Sequence, residues 1–302
     1  MPRDDSVIPA DYAPSFAWTA VAPAVFVVLW STGFIAAKAG LPFAEPLTFL
    51  TARFAIVAAI MLPMAVLVGA PWPRGGTIAH VAVVGLLMHA SYLGGVFAAI
   101  HLGMPAGLVA LVVGLQPILT AIVVGPMLGE TVSWRQWLGF VLGFGGAALV
   151  LSERYGFGSG GSGGIAAPVL AVCGLFGATA GTLYQKRFCA QVNIWTGAVI
   201  QYAAAAVPIA VLAYAFETMR ITWSGPFIGA MAWLVLVLSL GAVSLLYLLL
   251  RRGAVSKVAS LFFLIPPTTA LIAWAMFGER LGPAALAGMA VAAAGVALVQ
   301  RG

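Results

Sequence analysis

The sequence predicts an all-α integral membrane protein of ten transmembrane helices, arranged as two inverted five-helix repeats. Composition is the first observation behind this. The 302 residues are 63% hydrophobic and 7% charged, with a mean hydropathy of +1.09, a balance outside the range of water-soluble domains. The second is a series of apolar runs of membrane-spanning length, since about 20 apolar residues at 1.5 Å rise cover a ~30 Å hydrocarbon core. The third is that the chain repeats itself at a nearly fixed offset.

The apolar segments fall near 18–38, 46–68, 78–100, 104–127, 133–151, 165–185, 194–216, 228–250, 254–277 and 283–300, each bounded by charge, proline or glycine. Residues 1–17 form a polar N-terminal tail, expected in the cytoplasm. Its MPRDDSVIPADYAP start leads into a span too long for a signal-peptide core, so no cleaved signal is expected. A first five-helix repeat occupies 18–155 and a second 165–302, separated by the Gly/Ser linker 156–164. That linker lacks the Lys-Ser/Thr ending of a phosphate loop.

The repeat is read from matched landmarks. Gly33 and Lys38 align with Gly181 and Lys186 at an offset of 148, which also sets Arg53 against Gln201. Gly103 and Gly253 open two long apolar runs, each closed by Gly-Glu, at Glu130 and Glu279. Gly139, Gly143 and Gly146 fall on Gly288, Ala292 and Gly295, small residues that allow close helix approach. Units with an odd number of spans must lie in opposite orientations, so the repeat is inverted and alternating access is the expected mechanism. The two runs are broken near mid-membrane, by Gln116-Pro117 and by Pro266-Pro267, because proline removes a helical N–H and crowds the carbonyl one turn earlier. Paired breaks of this kind point to a transport site.

With the N-terminus inside, nine loop Lys/Arg residues fall on the inner side (Arg3, Arg74, Arg135, Lys186, Arg187, Arg251, Arg252, Lys257, Arg301) and four on the outer (Lys38, Arg154, Arg220, Arg280). Both termini are therefore expected in the cytoplasm. The +6 net charge reflects this scatter of single basic residues and not a nucleic-acid surface. Cys173 and Cys189 form neither a disulfide framework nor a metal spacing; no metal and no cofactor is expected.

The segment LWSTGFIAAKAG, the TARF around Arg53 and the two proline-broken, Gly-Glu-ended spans resemble the EamA-type ten-span exporters of the drug/metabolite transporter superfamily. The resemblance covers nearly the whole chain. It implies a pathway between two inverted halves, a multi-pass protein of a bacterial inner membrane, and export of small metabolites, with amino acids as the expected branch. Partners would be a small-molecule substrate and the lipid bilayer, in a monomer or homodimer. Trp30-Ser31-Thr32-Gly33 departs slightly from the family's Trp-Gly-Ser-Asn pattern. A multidrug or nucleotide-sugar carrier of the same superfamily is the alternative, although nucleotide-sugars would call for several central basic residues.

None of the eight carboxylates lies inside a span. This disfavours proton/cation antiport through a buried acid and favours neutral or zwitterionic substrates. It also disfavours a membrane enzyme, which would need a nucleophile–base pair at depth. His89 is the one titratable residue near the middle of a span, either bonded between helices, touching substrate, or coupling protons. Gln116 offers an amide beside exposed carbonyls, for a substrate or for its own bent backbone. Trp30, Ser31, Tyr92, Thr179, Tyr184, Ser239, Tyr247 and Phe263 complete a candidate pocket of aromatic walls and a few polar groups. Gly33, Pro117, Gly181, Pro266, Pro267 and Arg53 are candidate break or gating positions. Arg53, about 10 Å into its span, either snorkels outward or anchors a substrate carboxylate near the outer mouth. A structural or gating role is favoured because Gln201 replaces it in the other half. Lys38 and Lys186 are read as anchors, and Glu130 and Glu279 as structural.

Overall fold

The structure is a computed structural model that describes residues 16–104, 109, 112–155, 164–277 and 282–302. The N-terminal tail, most of the Gly/Ser linker, Glu279 and Arg280 lie outside the described residues, as does the side chain of Lys38. The regular secondary structure of the described residues is helical, apart from one isolated bridge. In chain order the helices are α1 (Phe16–Gly40), α2 (Pro46–Leu67), α3 (Gly76–His101), α4 (Gln116–Leu128), α5 (Trp134–Tyr155), α6 (Ala166–Phe188), α7 (Ile194–Phe216), α8 (Gly225–Arg252), α9 (255–277) and α10 (Pro283–Arg301). Eight stretches among them are long and apolar enough to cross a membrane, while α4 is a shorter apolar helix. A helix of 22 residues, such as α2, reaches ~33 Å.

Both long apolar runs are interrupted near their prolines. In the first, a turn at 112–115 precedes Gln116, with Pro117 in the first turn of α4 where its missing N–H costs nothing. In the second, α9 passes from Val255–Ser260 through a 3₁₀ turn at Leu261–Leu264 into Ile265–Phe277, with Pro266 and Pro267 opening the second part. A different irregularity occurs inside α3 and α8, where π turns run over Leu86–Ser91 and Leu234–Ala242.

The principal packing pairs join early helices to late ones: α5 with α10, α2 with α7, α3 with α6, and α1 with α8 and α9. Glycines set the closest approaches. A Cβ on Gly139 would fall 2.7 Å from the Gly295 carbonyl, and one on Gly288 2.6 Å from the Gly146 carbonyl. Gly33 lies against Leu238 in the π turn of α8, and Gly181 against Met88 in the π turn of α3.

The exterior is apolar, with Leu67 80% and Phe216 78% exposed, as a lipid-facing surface must be. The exposed Trp72 and Trp134 mark one end and Trp223 the other, in the manner of interfacial belts. At the first end, Lys186 Nζ donates to the Leu250 and Gly253 carbonyls, Arg251 to the Val192 carbonyl, and Lys257 to the Gln300 carbonyl. There Glu130 accepts from the Val255 N–H at 3.0 Å, satisfying an open donor at the start of α9. Ser133 and Gln136 form the reciprocal cap of α5 at 2.8 and 3.3 Å.

At the opposite end, Glu217 accepts from the Leu47 and Thr48 N–H groups at 2.8 and 2.6 Å, capping α2. Glu45 reciprocates by accepting from the Thr218 N–H at 2.6 Å and from its hydroxyl. Those bonds hold the Glu45 carboxyl below the usual carboxylate range. An antiparallel bridge between Ala44 and Ile221 completes the junction. Behind α6, burial pushes the Cys189 thiol up to about 11, so it is an inert apolar filler.

Candidate functional site

The middle of the bundle contains a buried polar cluster assembled from several helices. From α2, Arg53 is only 5% exposed, and its Nε and Nη2 donate to Ser239 Oγ of α8 at 3.2 and 3.0 Å. Snorkelling outward, which a position one-third along a helix permits, does not occur. No carboxylate pairs with Arg53 among the described residues, and the phenols of Tyr92 and Tyr202 are its electrostatic neighbours.

His89 lies in the π turn of α3. Its ring stacks on Tyr202 of α7 with centroids 4.1 Å apart and planes 19° from parallel, while Phe54 packs against both at 5.9 and 5.7 Å. His89 Nε2 and Tyr202 Oη are buried without a hydrogen-bond partner. Beside them Gln201 accepts from Tyr247 Oη at 2.8 Å and donates to Gln185 Oε1 at 3.2 Å, joining α7, α8 and α6.

A second polar group surrounds the break in the first apolar run. Gln116 Nε2 donates to Thr182 Oγ1 of α6 at 3.2 Å, while Gln116 Oε1 and Thr120 Oγ1, one turn on, have no partner. In the matching position of the other half, Ser31 Oγ of α1 donates to the Val27 carbonyl at 2.7 Å and lies 3.3 Å from the Ile265 carbonyl at the break in α9. Trp30 packs edge-on to Phe262 at 5.4 Å and near Phe26 at 5.2 Å, closing an aromatic wall.

Of the residues expected to line a pocket, His89, Tyr92, Ser239 and Tyr247 join the Arg53 cluster, and Trp30, Ser31 and Gln116 flank the breaks. The others lie elsewhere. Thr179 bonds back to its own helix at Leu175 O, 2.9 Å away. Tyr184 accompanies His80 (2.7 Å) and Phe188 near the end of α6. Phe263 turns toward α5, where it meets Phe140 and the bare backbone of Gly143; its neighbour Phe262 takes the inward place. Tyr202, Gln185, Thr182, Thr120 and Phe54 are the members that sequence reasoning missed. A signal for two of them was present: the offset of 148 that sets Arg53 on Gln201 also sets Phe54 on Tyr202.

No nucleophile is hydrogen-bonded to His89 Nε2, and no cluster of three or more His, Cys, Asp or Glu able to hold a metal occurs among the described residues. What the arrangement offers is hydrogen-bond donors, acceptors and ring faces enclosed by helices that cross a membrane, which defines a multi-pass membrane carrier. The chain belongs to the EamA-like transporter family, whose sequence profile matches residues 17–152 and again 165–301. Relatives include an uncharacterized transporter, YvbV, of Bacillus subtilis, 27% identical over 93% of this chain and 91% of that one. A protein of Streptantibioticus cattleyicolor named as a probable terminal-alkyne amino-acid exporter is 25% identical, with 91% of each chain covered. The uncharacterized inner membrane transporter YedA of Escherichia coli is 24% identical over 91% of this chain and 88% of its own. A solved crystal structure shares the fold, with a TM-score of 0.79 at 21% identity over 93% of this chain and 96% of the other.

Proposed function

We propose that the protein is a secondary transporter exporting small neutral or zwitterionic metabolites, amino acids above all, across a bacterial inner membrane by alternating access. The observation that carries this is the buried polar cluster at the junction of the two halves, which contains an arginine, a histidine and two amides but no acid. The relative named as a probable amino-acid exporter supports the substrate class. Matched features support two halves that can exchange roles: the family profile fits each half, π turns begin at Leu86 and Leu234, and Gly33 and Gly181 each rest on the other half's π turn. In this reading the ten helices form two inverted sets of five. The end rich in Lys and Arg faces the cytoplasm with both termini. The test is counterflow in proteoliposomes loaded with unlabelled amino acids. Accelerated uptake of a labelled amino acid is expected, and no acceleration across a broad panel would overturn the assignment.

A further inference from the structure

Arg53 is enclosed by the bundle, yet its principal anchor is one hydroxyl. Both of its bonds among the described residues converge on Ser239 Oγ, whereas a guanidinium carries five N–H donors in a planar fork. A charge held in an apolar interior is tolerated when it is paired or faces a polar pathway. No carboxylate occurs inside any span of the sequence, so the protein itself holds no counter-ion at that depth. Ser239 constrains one edge of the fork, through Nε and Nη2. The phenols of Tyr92 and Tyr202 stand near the charge, and the buried Tyr202 Oη lies beside Ser239 without a hydrogen bond of normal geometry. An oriented arginine with no counter-ion from the protein, beside a phenol hydroxyl, is suited to an anion with two acceptor oxygens.

We infer that Arg53, held in place by Ser239, is the carboxylate-binding element of the transport site, so that the substrate is a carboxylate-bearing molecule and not merely a small polar one. The inference rests on the exporter reading and sharpens it. Arg53 touches the substrate, Ser239 is a positioning residue, and Tyr202 Oη supplies an added donor. The guanidinium geometry favours a planar carboxylate over a carboxamide, which would set an NH₂ against N–H donors.

The experiment compares L-leucine, L-phenylalanine and L-glutamine with their α-carboxamides as counterflow drivers for the full-length protein in liposomes. Wild-type protein should prefer each acid to its amide by roughly ten- to hundredfold, the range for losing a charge-assisted bond. Arg53→Gln should abolish the preference, Arg53→Lys should retain part of it, and Ser239→Ala should reduce it without abolishing exchange. Equal exchange of acids and amides by the wild type, or an unchanged preference in Arg53→Gln, would overturn the inference. If no amino acid drives counterflow, the exporter reading falls separately, and thermal stability in detergent decides the subsite. Isovalerate but not isovaleramide should then raise the melting temperature of the wild type and not of Arg53→Gln. Absence of that shift would sink the carboxylate site. Should Arg53→Gln fail to fold, the acid-against-amide comparison in wild type and in Ser239→Ala serves as the test.

Discussion

Glu45 shows how a single side chain sets a pH response. Its carboxylate accepts the Thr218 N–H and hydroxyl, and these bonds lower its pKa in the folded protein. A depressed folded pKa means that the contribution to stability is complete above the unfolded value and disappears as pH falls through the folded one. Melting temperature in detergent should therefore decline below the ordinary carboxylate range of about pH 4. The decline should be shallower in Glu45→Gln. Superimposable pH curves for the two proteins would contradict this role. Glu217 performs the converse task on α2, so the two residues lock one end of the α2–α7 pair from both sides.

At the level of helices, the α5–α10 contact depends on the absence of side chains. Gly288→Leu would drive a side chain into the Gly146 carbonyl, 2.6 Å from where the first carbon would lie. The helices must separate, and the expected cost is about 1–3 kcal/mol or more. Gly229 of α8 has open space around it, and Gly229→Ala should be neutral or favourable by up to ~1 kcal/mol. Thermal unfolding of the two variants checks the contrast; equal effects would show that the close approach is unimportant. These glycines were legible because their spacing recurs in both halves, and the breaks were legible because proline announces them. The π turns were not, since a π turn inserts a residue without a characteristic side chain and rotates everything beyond it. Phe262 faces inward in place of Phe263 within the 3₁₀ turn at Leu261–Leu264, where about 120° per residue replaces the α-helical 100° and shifts the facing of both rings. Tyr202 was missed because an aromatic in a membrane span reads as packing until its stack on His89 is seen.

For the whole molecule, the charge inventory governs energy coupling. All eight carboxylates lie outside the apolar spans in the sequence, which removes the usual proton-exchanging acid from the pathway. Counterflow should persist when the transmembrane pH difference is collapsed and should change little between about pH 6 and 8, the interval around the reference histidine value. Strict dependence on an imposed proton gradient, lost in His89→Ala, would reverse that conclusion and give His89 the coupling role.

The partnership of α5 with α10, and of α2 with α7, bears on how the protein is made. Helices enter the bilayer in order as the ribosome delivers them, but the partners that complete these contacts are encoded roughly half a chain later. The early helices must therefore wait in the membrane as separately inserted rods, protected by lipid and by whatever insertase attends them, until the late ones arrive. A nascent chain stopped before Pro283 would leave the glycine face of α5 without its mate. Quality-control proteases could distinguish an unfinished copy from a finished one by that exposed seam alone.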